Sequence, residues 1–345
     1  MKGILMRQIA ITKYGGADVL NIEDVPDISP EEDDDVIVEV KSAGVNFADT
    51  LMRVGFYPEA PPVPFVPGYE CSGVVREVGS GVKKVKSGDR VFCLTKFGSY
   101  ATLSRAKENK TFMLPENFSF QKGAAIPINY LTAWMALNEC ARIRENEHIL
   151  IHSCAGGVGL AAVQIAKDKK CVLYGTVGSD EKCSYIRSVG VEHPINYRKQ
   201  DFVDEIKKIN AEGVDVVLDS VGFEYLKKDR EILKQGGKVI TYGLSGIKIG
   251  EAKNIISKWL KMRKNYLINP ISLIFKNHGF IGLNLLPMWD KNEFFMDAME
   301  KILEKIKKGV FDPVISKEFS FEDVAKAHGF IEGRKNIGKV ILNIE

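Results

Sequence analysis

The sequence has no Cys-x-x-Cys pair, no long apolar run, and only five histidines in 345 residues. Its six cysteines, Cys71, Cys93, Cys140, Cys154, Cys171 and Cys183, are scattered. That spacing argues against a cysteine zinc lobe and against a disulfide framework, and it fits a reducing cytosol. No stretch reaches the roughly 18 apolar residues that a membrane helix requires. The opening "MKGILMRQIAITKYGG" does not read as a signal peptide, because Arg7 and Gln8 interrupt its apolar part. A net charge of +3 is too small to demand nucleic acid as a partner. A cytoplasmic protein is therefore expected.

What is present is ordinary globular material, 45% hydrophobic and 27% charged. At roughly 150 residues per domain the length suggests about two domains. The first 125 residues read as short strands between turns: Val36 to Val40, Gly73 to Val78, and Arg90 to Leu94 are β-rich. The acidic run 31–35 reads as a solvated turn before the first of these. "YPEAPPVPFVPGY" (57–69) holds five prolines and is expected as an extended surface loop.

From residue 146 strands and helices alternate. Strands are expected at His148 to Ser153, Cys171 to Thr176, His193 to Tyr197, Val214 to Asp219 and Lys238 to Gly243. Helices are expected at Gly159 to Lys167, Glu181 to Val189, Phe202 to Ile209 and Glu224 to Lys234. Such alternation calls for a parallel sheet with helices on both faces. A further strand near Phe280 to Asn284, helices at Glu293 to Lys308 and Phe321 to Glu332, and a strand at Lys339 to Asn343 complete the chain.

The strand "HILIHS" leads into Cys154-Ala155-Gly156-Gly157-Val158-Gly159, a Gly-x-Gly-x-x-Gly variant with Cys154 in the first position. Gly156 would let the backbone approach a pyrophosphate and Gly159 would let the helix pack closely. The phosphates would sit over a helix N-terminus, where N–H groups and the dipole favour anions. Cys154 is expected to be tolerated, since the glycines after it are intact, or else to tighten that fit. About 20 residues on, enzymes that use NAD place an acid for the ribose hydroxyls. Here "YGTVGSDEK" offers Gly178, Ser179 and Lys182, while Asp180 and Glu181 read as the start of a helix. A small residue beside a hydroxyl and a lysine suits a 2′-phosphate, so NADPH is favoured.

Seven ordered motifs now converge: "GVNFADTLMRVGFYP" (44–58), "PGYECSGVVREVGSGV" (67–82), "GDRV" (88–91), "SCAGGVGLAAVQIAK" (153–167), "INYR" (195–198), "DSVG" (219–222) and "KNIGKVIL" (335–342). With them the chain resembles, end to end, the zinc-independent quinone oxidoreductases of the medium-chain dehydrogenase/reductase superfamily. Within these it is most similar to the vesicle amine transport protein group. The resemblance implies an α/β plus β fold: a GroES-like β-domain (1–125 and 288–345) and a Rossmann-type doubly wound parallel-sheet domain (126–287), with the active site in a cleft between them. It also implies a homodimer formed through edge strands of the Rossmann sheet.

Zinc members of the superfamily carry Gly-His-Glu where this chain has Gly68-Tyr69-Glu70. Tyr69 thus stands at a histidine ligand position and Asn46 at a cysteine ligand position, which implies no metal. His148 and His152 lie on a strand and read as packed or hydrogen-bonded. The resemblance places Tyr57, Asn46 and Asp49 as catalytic residues. It places Asn129, Thr132, Gly156, Gly157, Val158, Gly178, Ser179, Lys182, Tyr197, Gly243, Arg334 and Asn336 around the cofactor, with Lys182, Tyr197 and Arg334 on the 2′-phosphate. Asp49 could instead cap a helix, and Tyr57 could anchor the proline-rich loop.

Without a Lewis acid the site needs an acceptor that takes hydride readily, a quinone or activated enone whose charge delocalises. Tyr57, then Asn46, are the candidate donors to the oxygen that gains charge. An enoyl-thioester reductase is the neighbouring reading. A third reading comes from residues 245–277, an insertion in which 248–264 carry six basic residues against one acid. Ile255, Ile256, Trp259 and Leu260 would form an apolar stripe there, as on a helix lying against an anionic membrane or packed on protein. On that reading the chain is a nucleotide-binding module that meets lipid or a protein and catalyses little.

Overall fold

A computed structural model describes residues 5–222, 224–247 and 270–344, and it divides into two compact units. The basic stretch 248–264 lies outside the described residues. Unit 1 comprises residues 1–131, 286–307 and 312–345, and unit 2 comprises 132–285 and 308–311.

Unit 1 is built on the strand Asp35–Val45, whose β-branched residues alternate between two covered faces. Val36, Val38 and Val40 join one core with Val75, Val91, Val340 and Leu342. Ile37, between them, joins another with Met6, Ala101 and Leu103. This strand pairs antiparallel with Glu70–Val78, with Leu103–Lys107 and with the C-terminal strand Lys339–Asn343. Val340 lies opposite Val45 and Asn343 opposite Ser42, so the end of the chain completes a sheet begun near its start. The sheet continues through Arg90–Leu94 to Thr111–Met113 on one side and, in parallel, to Ile315–Ser320 on the other. Leu5–Ile11 and Leu20–Pro26 form a separate hairpin. The proline-rich loop is irregular, but its end turns inward: Phe65 bridges to Ile11, and Phe65 and Tyr69 are buried.

Unit 2 carries a six-stranded parallel sheet. Its spatial order is His193–Asn196, Val172–Val177, His148–Ile151, Val214–Asp219, Leu233–Thr241, Gly279–Gly282. All six strands are parallel, and from His148–Ile151 successive strands are added first toward one edge and then, from Val214–Asp219, toward the other, which is the Rossmann order. The expected strand–helix alternation is observed, with one local correction. The helix Glu224–Glu231 ends before Lys234, because Ile232 and Leu233 are drawn into the core and the chain re-enters the sheet at Leu233. Gly236, at φ +83°, then turns inside that longer strand. Unit 1 is the GroES-like β-fold and unit 2 the Rossmann fold, as the sequence suggested.

Candidate functional site

In unit 2 the sheet's order reverses between His148–Ile151 and Val214–Asp219, where open α/β sheets bind ligands. The loops after these two strands meet there, and Ser220 Oγ donates to Ser153 Oγ at 2.8 Å. Asp219 holds its own loop by accepting from Val221 N–H and Gly222 N–H at 2.7 and 2.9 Å. Gly243, on the next loop, lies so close that a Cβ there would fall 2.8 Å from Ser220 O.

The helix Gly157–Asp168 begins at Gly156, which has no side-chain cap. A Cβ on Gly156 would meet only Ser153 O, at 3.2 Å, so the space over the helix start is open. Gly159 is the opposite case, since a Cβ would sit 2.5 Å from Cys154 O. Gly156, Gly157 and Val158 therefore offer an uncapped, accessible helix N-terminus that fits a pyrophosphate. Cys154 is tolerated, and it does not tighten the phosphate loop. It is buried, and its Sγ lies 2.7 Å from where a Cβ on Gly175 would be. Its side chain fills a notch in the neighbouring strand, so its backbone alone belongs to the loop.

Gly178 follows the strand Val172–Val177, and Tyr197 Oη lies 2.8 Å from the position of a Cβ there. Arg198 Nε is 3.4 Å from the same point, a cation that the sequence reading passed over although it stands in the quoted "INYR". Ser179 caps the helix Asp180–Ser188, accepting from Lys182 N–H at 3.2 Å. Asp180 accepts from Asn196 Nδ2 at 2.8 Å and pairs with Lys199. The structure thus gathers Gly178, Ser179, Lys182 and Tyr197 at one strand end, with the nearest acid already partnered by an amide and a lysine.

The polar centre of unit 1 surrounds Asn46, which precedes the helix Phe47–Arg53. Its Nδ2 donates to Glu70 Oε1 at 3.0 Å, and Lys339 Nζ donates to its Oδ1 at 2.6 Å. Lys339 also pairs with Glu70 Oε1, while Ile128 N–H donates to Oε2 at 2.7 Å. Both oxygens of Glu70 are therefore satisfied, at 0% exposure for Glu70 and 2% for Lys339. Glycine at position 44 makes room for the pair, since a Cβ there would fall 2.5 Å from Glu70 Oε1 and 2.6 Å from Lys339 Cε. Sequence reading saw Asn46 but missed Glu70 and Lys339, whose only signal was a lysine at the start of a β-rich final strand.

Asp49 is fully buried, accepting from Asn46 N–H at 2.7 Å and Tyr100 Oη at 2.9 Å. The helix-capping role weighed for it is what this geometry displays. Burial outweighs those bonds and holds its carboxyl up at about 7. Tyr69 packs against Phe97 and donates weakly to Met52 Sδ at 3.3 Å. Burial, then the proximity of Tyr57 and Asp49, pushes its phenol well up, so it stays neutral. Tyr57 packs at the rim of the same cluster.

These donors do not suit zinc. An amide, a phenol and a carboxylate already paired with an ammonium replace the thiolate and imidazole such a site needs. Among the described residues no group of three His, Cys, Asp or Glu could hold a metal. His148 meets Tyr174 Oη at 3.1 Å, and His152 is buried between Thr176 Oγ1 and Asp229 Oδ1 at 2.8 and 2.9 Å.

Asn129 and Thr132 are buried on the helix Pro127–Trp134, where Asn129 Nδ2 donates to Ala125 O at 3.2 Å. Arg334 and Asn336 stand in unit 1, on the turn before Lys339. Arg334 is exposed, and Asn336 braces the turn by donating to Gly338 O at 3.0 Å.

The alcohol dehydrogenase GroES-like domain family matches residues 32–116, and a family described as zinc-binding dehydrogenase matches residues 189–342. A synaptic vesicle membrane protein VAT-1 homolog of Danio rerio is 35% identical over 98% of this chain and 70% of its own length. The quinone oxidoreductase of Rattus norvegicus is 34% identical over 98% of both chains. The crystal structure of Escherichia coli quinone oxidoreductase complexed with NADPH superposes with a TM-score of 0.86 at 30% identity, covering 98% of this chain and 99% of that one.

Proposed function

The chain belongs to the medium-chain dehydrogenase/reductase superfamily, as an oxidoreductase, and on that premise we propose that it is a zinc-independent, NADPH-dependent enzyme that reduces a quinone or another activated conjugated carbonyl. The observation that carries the reading is the paired state of Glu70. Its two oxygens are taken by Asn46, Lys339 and Ile128 N–H, so neither is left to ligate a metal. Chemistry there is left with hydrogen bonding and orientation, which suffice only for an acceptor that delocalises the incoming charge.

Reduced nicotinamide supplies the hydride when bound. Gly156, Gly157 and Val158 would bind the pyrophosphate, with Gly243 and Thr132 flanking. Gly178, Ser179, Lys182 and Tyr197, with the added Arg198, would bind the adenosine end, and cations there favour a 2′-phosphate. The pairing of Asp180 with Asn196 and Lys199 supports NADP over NAD. Asn46, Tyr57 and Asn129 would orient the acceptor, with Asp49 positioning Asn46 from beneath. A homodimer through the edge strand Gly279–Gly282 belongs to the same reading. Among the described residues no helix is long and apolar enough to cross a membrane. Peripheral contact, if the chain makes one, would fall to 248–264.

The test is a fluorescence titration with NADPH and NADH, followed by turnover with ortho- and para-quinones and with a short enoyl-CoA. Tight NADPH binding with quinone turnover is expected. Faster turnover of enoyl-CoA would replace the substrate class, and saturable binding without turnover of any acceptor would overturn the enzymatic reading.

A further inference from the structure

We propose that Lys339 is a positioning residue that fixes Asn46 as a hydrogen-bond donor. The inference rests on the reading that Asn46 meets the acceptor oxygen. A side-chain amide can offer a ligand either its carbonyl or its NH2 group, so an asparagine in a binding site is chemically ambiguous. Here its neighbours remove the ambiguity. An ammonium only donates and a carboxylate only accepts. Lys339 Nζ, 2.6 Å from Oδ1, therefore claims the carbonyl, and Glu70 Oε1, 3.0 Å from Nδ2, claims one N–H. Lys339 and Glu70 close the ring by pairing with each other.

The second amide N–H has no acceptor among the described residues, and Asn46 is half-buried while its two partners are sealed. That N–H is polarised by an ammonium bound to the same amide's oxygen, and hydrogen bonds in series strengthen one another in a low dielectric. It is suited to an oxygen that gains negative charge. The ring is itself held rigidly. Ile128 N–H anchors the other oxygen of Glu70, Asp49 Oδ2 anchors Asn46 N–H, and the bare Cα of Gly44 leaves just the space that the ion pair fills. A lysine buried only for stability would need its charge neutralised. It would have no need of the amide of a site residue.

Two variants of the full-length protein separate these roles. Lys339→Met leaves Glu70 buried and uncompensated and is expected to lower both stability and kcat. Lys339→Met with Glu70→Gln removes both charges at similar volume, so the fold should recover its urea midpoint. The amide of Asn46, now facing another amide, is free to turn over. For this double variant kcat with an ortho-quinone should stay roughly 10- to 100-fold below the parent, the scale of losing one oriented donor. Its Kd for NADPH should remain within about twofold of the parent's. Recovery of parental kcat would reduce the pair to a structural role and overturn the proposal.

If the parent reduces no quinone or enone, the functional reading fails and the positioning claim is decided separately. In ¹⁵N spectra one Asn46 side-chain amide proton should be protected from solvent exchange in the parent and lose that protection in the double variant. Equal exchange in both proteins would overturn it.

Discussion

Tyr197 Oη stands against the bare Cα of Gly178, 2.8 Å from where a Cβ would be. A side chain at 178 would have to displace that phenol, so this strand end is shaped by a ring and by cations instead of by an acid. Arg198 Nε lies 3.4 Å from the same point, and Lys182 starts the adjoining helix. Each cation should contribute one charge-assisted contact to a 2′-phosphate, on the order of 1.5 kcal/mol or about tenfold in affinity. Lys182→Ala and Arg198→Ala should each raise the Kd for NADPH about tenfold and leave that for NADH unchanged. Titrations that shift both nucleotides equally would place the two cations elsewhere.

Gly44 faces backbone as well as the ion pair, for a Cβ there would also fall 2.7 Å from Ala124 O. The far end of a lysine can move, whereas a carbonyl on the neighbouring helix gives way only at a cost. Gly44→Ala should therefore destabilise unit 1 by about 2–4 kcal/mol, through overpacking and separation of the Glu70–Lys339 pair. Urea unfolding followed through the tryptophans would measure it. A variant as stable as the parent would show that the strand shifts to accommodate the methyl group.

Much of the fold was legible because its signals are local. The run of Val214–Asp219, the amphipathic Phe202–Ile209 and the glycines after "HILIHS" each declare an element or a turn within a few residues. The Lys339–Glu70–Asn46 ring was not legible. Lys339 lies 293 positions from Asn46 and meets the other two only because the last strand pairs beside Asp35–Val45. A lysine heading an apolar strand reads as solvated until that pairing buries it. The direction of the Cys154 side chain was illegible for a related reason: the loop motif says where its backbone goes, but the glycine that receives its side chain, Gly175, belongs to the next strand.

That placement of Cys154 makes a labelling prediction. Cys71, Cys93 and Cys154 have no exposed surface, and burial pushes the thiols of Cys93 and Cys154 well up, so little thiolate forms. Only Cys140 and Cys183 are partly exposed. N-ethylmaleimide on the native protein should stop at two adducts, at Cys140 and Cys183, and reach six in urea. Cys154→Ala should bind NADPH within about twofold of the parent. Rapid native labelling of Cys154, or strong loss of nucleotide in the alanine variant, would mean that its thiol faces the phosphate loop.

Asp49 sets a pH dependence whose sign can be worked out. Its Oδ1 has no hydrogen-bond partner among the described residues, and burial holds the carboxyl up at about 7, against an unfolded value near 3.8. Between those two values the folded chain keeps a proton that the unfolded chain has released. The contribution to stability is thus fully present below about pH 4 and is lost as pH rises through about 7. Three units at 1.36 kcal/mol each would amount to about 4 kcal/mol, an upper figure because the site relaxes when it ionises. Asp49→Asn imitates the protonated acid, since its Oδ1 can keep accepting from Asn46 N–H and Tyr100 Oη. The parent should lose stability to urea between pH 5 and pH 7.5, and the asparagine variant should lose far less. A parent whose stability is level across that range, with a variant weaker at both ends, would show that Asp49 is ionised throughout and that its hydrogen bonds outweigh its burial.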